Sequence, residues 1–249
     1  MTPKRLPFRD PRTVARDIPG VLDVLFPRLS GGLVATLNRD AFQHSGLAPV
    51  PNELVEQSQL QKAMLFELSV ARAELILAGH EEPEWDECLA IALERQSRHY
   101  DARRPDGIKE SDKQAADHAA RNLVLMLGRA SQTQSAPIVP RPVIPGMGWI
   151  ASGTGDFAIG KVLVEVKHTD RNFIAGDFRQ VLMYWLLSYA SAIESDDDVW
   201  TDCLLLNPRR NCGLAVNFDK LLHSASSNSN RVELCEMLRS IVEHDIVRR

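Results

Sequence analysis

The sequence predicts an α/β protein whose N-terminal part is mainly helical. Apolar residues recur at steps of three and four over residues 53–79 and again over 111–130, which is typical of amphipathic helices. Between about residues 137 and 218, prolines and β-prone runs replace this pattern around one helical stretch. We therefore expect a helical accessory region over residues 1–105 and an α/β domain over residues 106–249.

The helical elements are predicted in chain order. Turn signals divide the first 52 residues into short pieces, at Pro19-Gly20, at Gly31-Gly32 and from Pro49 to Pro51. The apolar stripe predicts one long helix over residues 53–79, and a second helix is predicted over 84–99. A polar linker over residues 101–107 separates it from a third helix over 111–130, for which Ser111 is the expected N-terminal cap.

The second half is predicted to mix strands and helices. The predicted elements are a hairpin over residues 155–167, a helix over 178–192 capped by Asp177, a strand over 199–206, a flexible loop over 224–230 and a final amphipathic helix over 231–247. Together they indicate one sheet with helices packed on it.

Composition excludes several classes of protein. The chain has 249 residues, of which 44% are hydrophobic and 25% are charged, so a disordered, collagen-like or disulfide-scaffold protein is excluded. The net charge of -4 means that nucleic-acid binding would depend on a local basic patch. No apolar run reaches the roughly 18 residues of a membrane span, and no secretion signal is evident, so we expect a cytoplasmic protein without a membrane partner.

The most informative segment is the hairpin around Gly160-Lys161. Glycine at the first position of a two-residue loop is typical of a type II′ turn, and this turn fixes the register of the strands. The expected pairs are Ile159 with Val162, Ala158 with Leu163, Phe157 with Val164, and Asp156 with Glu165. Directly opposed residues share a face of the sheet, and side chains alternate between the two faces along each strand. One face of the hairpin is therefore apolar.

The other face of this hairpin carries Asp156, Glu165 and Lys167. Two opposed carboxylates are destabilising unless a cation lies between them. That cation is either Lys167 or a divalent metal ion, because oxygen ligands suit Mg²⁺, Mn²⁺ and Ca²⁺. The alternative interpretation is a surface hairpin with a cross-strand salt bridge.

The helix after the hairpin adds two polar residues. Gln180 and Tyr184 are four residues apart and share a helix face that is otherwise apolar. A buried glutamine needs a hydrogen-bond partner. The simpler alternative is that Gln180 belongs to a capping box with Asp177.

The order G-D-F, E-V-K and then Q-x-x-x-Y on the following helix resembles the PD-(D/E)xK nuclease superfamily, in particular its RecB-like and phage-defence branch. The resemblance covers about residues 146–189, although Gly155 replaces the proline of the family pattern. It implies a restriction-endonuclease-like core, which is a mixed central sheet flanked by helices. It also implies metal binding by Asp156, Glu165 and the backbone carbonyl of Val166, with Lys167 as the catalytic lysine and Gln180 and Tyr184 as the supporting motif.

The same resemblance suggests further ligands and contacts. Asp117 and His118 are candidates for an extra metal ligand from the preceding helix, although a histidine there is also typical of a solvated helix flank. His168, Arg171 and Arg179 follow the motif and are expected to contact phosphates, while Arg179 has an alternative ion-pair partner in Asp177 or Asp170. The four cysteines lack the close pairs of an iron–sulfur site, so Mg²⁺ or Mn²⁺ without a cluster is expected.

These observations favour a metal-dependent nuclease acting on DNA, with endonuclease activity and a role in bacterial anti-phage defence or restriction. The N-terminal helices would dock a protein partner or select the target, and a homodimer is left open. One alternative is a catalytically weak subunit with a nuclease fold that binds nucleic acid or a partner in a larger complex. Another is an α/β interaction protein with a fortuitous hairpin.

Overall fold

A computed structural model describes residues 9–17, 20–96, 105, 107–195 and 198–247. Its α-helices are α1 (Pro11–Asp17), α2 (Val21–Leu25), α3 (Gly31–Leu37), α4 (Asn52–Gln57), α5 (Lys62–Leu77), α6 (Trp85–Gln96), α7 (Glu110–Gln134), α8 (Ala175–Ser195), α9 (Phe218–Ala225) and α10 (Arg231–Val247), with one 3-10 turn at Asn38–Asp40. Its strands are β1 (Ile138–Pro140), β2 (Val143–Ile144), β3 (Gly153–Thr154), β4 (Phe157–Ile159), β5 (Val162–Val166), β6 (Asp202–Asn207) and β7 (Cys212–Asn217). The predicted α/β class is confirmed.

Five strands form the main sheet in the order β1-β4-β5-β6-β7. Strands β5 and β6 are parallel, whereas the other neighbouring pairs in this sheet are antiparallel. A parallel pair needs a crossover connection, and α8 supplies it between β5 and β6. Strands β2 and β3 form a separate two-stranded sheet.

Side chains of successive strand residues point to opposite faces, and each face of the sheet has its own hydrophobic cluster. Phe157, Val164 and other residues of the predicted apolar face pack with residues of α5 and α7. On the opposite face, Leu163 and Leu205 pack with α8 and with helices from both ends of the chain, including α1, α2 and α10. The site described below lies on this second face.

The predicted division at residue 105 does not separate two cores among the described residues. Each of the three hydrophobic clusters contains residues from both sides of that position. The first cluster joins Val14 of α1 to Leu182 of α8 and Val242 of α10. The N-terminal helices are thus integral to the packing of the sheet.

Two predicted helix boundaries differ in the structure, and hydrogen bonds of Asp112 explain both differences. The predicted helix over residues 53–79 is interrupted between α4 and α5, where the hydroxyl of Ser58 donates to Asp112 at 2.6 Å. Ser111 is not the cap of α7, because the carboxylate of Asp112 accepts the backbone N–H of Lys109 at 2.8 Å and satisfies that helix end. The predicted final helix over 231–247 agrees with α10.

One edge of the main sheet is covered by residues that precede α4. Phe42 and Gly213 form an antiparallel bridge with two backbone hydrogen bonds of 2.8 and 2.9 Å. A Cβ atom on Gly213 would lie 2.6 Å from the ring of Phe42, so a larger residue at this position would require that ring to move.

Among the helices that the structure describes, none has the length and apolar character needed to cross a lipid bilayer.

Candidate active site

The hairpin of β4 and β5 has three of the four predicted pairs, and the predicted pair of Asp156 and Glu165 lies just beyond the described ladder. Phe157 is paired with Val164, Ala158 with Leu163, and Ile159 with Val162. Gly160 has φ +55°, whereas Lys161 is not among the residues with positive φ. This combination fits the predicted type II′ turn, because a type I′ turn would need positive φ at both positions.

Asp156 and Glu165 lie at the open end of this hairpin. Glu165 is on β5 and only 1% exposed, and Asp156 immediately precedes β4. One carboxylate oxygen of Asp156, Oδ2, accepts the backbone N–H of Val166 at 2.7 Å. This bond ties the Asp156 side chain to the strand that carries Glu165.

Lys167 is the buried cation beside these acids. Its Nζ donates to Glu165 Oε1 at 2.8 Å and to Gln180 Oε1 at 2.9 Å, and it lies 3.7 Å from Asp177 Oδ1. An ammonium group has three donors, so these two bonds leave one N–H for another acceptor. Of the two cations considered for the carboxylate pair, Lys167 thus lies against Glu165, whereas its described hydrogen bonds and ion pairs do not include Asp156.

Helix α8 brings Gln180 and Tyr184 to the same place. The amide of Gln180 donates to Glu165 Oε1 at 2.7 Å and approaches the hydroxyl of Tyr184 at 3.0 Å. Gln180 is fully buried, and its partners are these site residues and Lys167. The alternative role of Gln180 in a capping box with Asp177 is not observed.

Asp177 was predicted as the helix cap but lies inside the first turn of α8. Its Oδ2 accepts the backbone N–H of Ile174 at 2.9 Å and a guanidinium N–H of Arg171 at 3.0 Å. The helix therefore begins earlier than predicted, at Ala175. Asp177 still stabilises this helix end, because its negative charge lies near the positive end of the helix dipole.

Arg12 of α1 is a site residue that the sequence analysis missed. Its NH2 atom lies 3.4 Å from Asp156 Oδ1 and 4.0 Å from Glu165 Oε1. Helix α1 packs on α8 through buried residues that include Val14 and Ala15. Arg12 is 144 residues from Asp156 in sequence, and no local pattern signals their proximity.

The electrostatics of the site follow from burial and crowding. Burial, followed by the negative charge of Glu165, raises the pKa of Asp156 to about 7, although Arg12 and Lys167 oppose the shift. Burial alone would lower the pKa of Arg12, but the negative charge of Glu165, with further contributions from Tyr184 and Asp156, outweighs it and raises that pKa. Burial and Glu165 also raise the pKa of Tyr184, so its hydroxyl stays protonated.

The donor set suits a hard divalent cation. Glu165 Oε2 is buried and has no hydrogen-bond partner among the described residues, which is costly for a carboxylate oxygen. Within the part of the chain that the structure describes, Asp156 Oδ1 has only the long contact with Arg12. The described residues contain no group of three His, Cys, Asp or Glu side chains placed to hold a metal, so further ligands would be backbone carbonyls or water.

A cleft of about 210 Å³ opens beside Asp156. Arg12, Tyr184 and Arg141 line it together with Phe66 and Val70 of α5. Arg141 has φ +53°, and its backbone N–H donates to the carbonyl of Asp156 at 2.9 Å. This left-handed residue, which lies between two prolines, is another site residue that the sequence analysis missed.

The two candidates for an extra metal ligand, Asp117 and His118, bond to other residues. Asp117 accepts from Arg72 at 2.5 Å and from Arg121 at 2.8 Å. His118 Nε2 lies 3.0 Å from the backbone carbonyl of Ala48. The structure therefore does not bring Asp117 or His118 to the pair of Asp156 and Glu165.

The three predicted phosphate contacts also differ from one another. Burial and the charge of Arg209 lower the pKa of His168 to about 4, so it is neutral at pH 7. Arg171 is bonded to Asp177, and Arg179 pairs with Asp23 of α2 and not with Asp177 or Asp170. None of the three lines the cleft beside Asp156.

No protein-family model, curated protein or solved structure matches the chain.

Proposed function

We propose that the protein is a divalent-metal-dependent nuclease that hydrolyses phosphodiester bonds of DNA. The observation that carries this proposal is the cluster of Asp156, Glu165, Lys167 and Gln180, in which an acid with a free buried oxygen is held by an amine and an amide. Most buried polar atoms in proteins have a hydrogen-bond partner, and a bound cation would supply the partner that Glu165 Oε2 lacks among the described residues.

The order of elements supports the same proposal. Helix α7 precedes the strands, α8 connects the parallel strands β5 and β6, and the cluster lies where β4, β5 and α8 meet. This arrangement agrees with the restriction-endonuclease-like core that the PD-(D/E)xK resemblance implies. From the same resemblance we also propose that the protein acts in the cytoplasm in anti-phage defence or restriction.

In the proposed reaction, Asp156 and Glu165 would hold Mg²⁺ or Mn²⁺ together with the carbonyl of Val166. Such an ion activates water and polarises the phosphate when it is bound. The remaining N–H of Lys167 would orient the attacking water or bind a phosphate oxygen. Gln180 fixes the rotamers of Glu165 and Lys167, and Tyr184 supports Gln180.

One observation favours a second candidate function. Arg12 already places a positive charge beside both carboxylates, as a catalytically weak subunit with a retained fold would also do. In that case the protein would bind nucleic acid or a partner protein through the cleft and would cut poorly.

A cleavage assay separates the two candidates. The full chain would be incubated with labelled duplex DNA, single-stranded DNA and RNA in Mg²⁺, in Mn²⁺ and in chelator. Lys167→Met is expected to reduce the cleavage rate by about 10²-fold or more, because it removes a charge that acts on the reacting phosphate or water. Lys161→Met is the matched control, since Lys161 lies in the same hairpin and its exposed side chain pairs with Asp198.

Cleavage that requires metal and is lost in Lys167→Met and Asp156→Asn, but not in Lys161→Met, would support the nuclease. Cleavage that persists in both site variants would exclude this site as its source. Binding of DNA without cleavage under every condition would favour the second candidate.

A further inference from the structure

We propose that Arg12 competes with the divalent cation for Asp156 and Glu165 in the substrate-free protein, and that it binds a phosphate of the nucleic acid once the cation is present. This inference rests on the proposed function, because it assigns the competing cation and the phosphate to the same site. It makes Arg12 a substrate-binding residue supplied by the N-terminal helix.

The contacts of Arg12 with the two carboxylates are long, and its side chain also hydrogen-bonds the Tyr184 hydroxyl. One nitrogen approaches both carboxylates, at 3.4 Å from Asp156 Oδ1 and 4.0 Å from Glu165 Oε1. Bidentate guanidinium–carboxylate pairs instead have two parallel bonds of about 2.7–2.9 Å. Arg12 therefore compensates the negative charge without a close contact to the oxygens, and no described residue hydrogen-bonds Glu165 Oε2.

The backbone of Arg12 is fixed, whereas its side chain faces the cleft. The backbone N–H donates to Asp10 Oδ1 at 2.8 Å, and the neighbouring Val14 and Ala15 are buried. The Arg12 side chain is 28% exposed and lines the cleft beside Asp156. A change of side-chain rotamer would thus move the guanidinium without moving α1.

Charge determines the direction of this movement. A divalent cation on Asp156 and Glu165 would neutralise the attraction that holds Arg12 and would repel the guanidinium. A phosphate entering the cleft offers two oxygens that a planar guanidinium can bind in bidentate fashion. Arg141, which lines the same cleft, supplies a second guanidinium to that anion.

The first test measures metal binding without nucleic acid. Calorimetric titration with Mn²⁺ and with Ca²⁺ would compare the wild-type chain with Arg12→Gln and Arg16→Gln. Arg12→Gln is expected to bind the cation about tenfold more tightly, because it removes the competing charge. Arg16 is on the same helix and approaches Asp177 at 4.0 Å, so Arg16→Gln removes the same charge and should change the affinity less than about twofold.

The second test measures nucleic-acid binding with Ca²⁺ present. Arg12→Gln is expected to weaken the binding of a short oligonucleotide about tenfold, because a phosphate contact is lost. Arg12→Lys should restore competition with the cation but only part of the oligonucleotide affinity, since an ammonium group cannot bind phosphate in bidentate fashion. A purely structural role for Arg12 would not tighten metal binding while weakening oligonucleotide binding.

The outcomes separate this inference from the proposed function. If the wild-type chain binds the cation and Arg12→Gln does not bind it more tightly, the inference is overturned and the nuclease proposal stands. If neither chain binds a divalent cation, both are overturned. If Arg12→Gln binds the cation and the wild-type chain does not, Arg12 prevents detectable cation binding in the wild-type chain, which supports the inference.

Discussion

One buried pair of opposite charges in the site contributes to the free energy of unfolding of the protein. Glu165 and Lys167 are 1% and 7% exposed, and their contact is 2.8 Å long. Removing charges from water is costly, and the pair recovers this cost mainly through its mutual attraction and the hydrogen bonds to Gln180. Removing either charge alone would therefore leave the other buried and uncompensated.

Lys167→Met is expected to lower the free energy of unfolding by about 3 kcal/mol in chelator, because it leaves Glu165 buried without its cation. The double variant Glu165→Gln with Lys167→Met should recover about half of that loss, since no uncompensated charge remains. Urea unfolding of the three chains would measure both values. Equal stability of the single and double variants would contradict a buried ion pair.

The raised pKa of Asp156 predicts a pH dependence of stability. A carboxyl group with a pKa of about 7 in the folded chain binds its proton more tightly there than in the unfolded chain. This contribution to stability is complete below about pH 4 and is lost as the pH rises to about 7. In chelator, stability should fall by up to about 1.4 kcal/mol per pH unit within this window.

Asp156→Asn isolates this contribution, because other groups such as His168 titrate in both chains. The difference between the wild-type and variant unfolding free energies should change between pH 4 and 7 and be constant above about pH 8. Parallel curves over the whole range would show that Asp156 titrates normally.

The single residues that sequence patterns could predict are those linked by short, regular spacing. Alternation along two strands and a two-residue turn bring Asp156, Glu165 and Lys167 to one face. Helical spacing adds Gln180 and Tyr184. Arg12 and Arg141 reach the site through tertiary packing and a left-handed backbone, for which one sequence offers no periodic signal.

Helix α1 shows how an element far away in sequence becomes part of the site. Val14 is completely buried between α1 and the rest of the first cluster, so it holds the backbone of Arg12 in place. Val24 of α2 is 56% exposed and offers the same side chain without burial.

Val14→Ala is expected to lower the free energy of unfolding by about 2 kcal/mol, through lost burial and a small cavity. Val24→Ala, the matched control, should change it by less than about 0.5 kcal/mol. Thermal or urea unfolding of the two variants gives the comparison. A similar effect of both substitutions would mean that α1 is not packed as described.

Prediction of the helices succeeded where apolar periodicity and end signals agree, as in α10. It failed where side chains compete for backbone groups. The apolar stripe of residues 53–79 continues across the break between α4 and α5, but Asp112 accepts from the hydroxyl of Ser58 and from the backbone N–H of Gln59. Asp112, which stabilises this break, lies on α7. The apolar periodicity of residues 53–79 cannot reveal a contact with another helix.

The whole molecule is held together by clusters that cross residue 105. Removing residues 1–105 would expose the apolar faces of α7 and α8, including Leu123 and Leu182, to water. The loss of burial would exceed the modest net stability of an ordinary domain.

A fragment of residues 106–249 is therefore expected to lack cooperative unfolding and to bind a hydrophobic dye, as a loosely packed state does. Circular dichroism during urea unfolding and dye fluorescence would test this against the full chain. A fragment that unfolds cooperatively with native stability would restore the predicted division into two domains.

The edges of the main sheet bear on how copies of the chain could associate. At one edge, the Phe42 backbone occupies the hydrogen-bonding groups of Gly213, and at the other edge Pro140 of β1 has no N–H to donate. Strand addition from a neighbouring molecule is hindered at both positions. A continuous intermolecular sheet built on these two positions of the main sheet is therefore not expected.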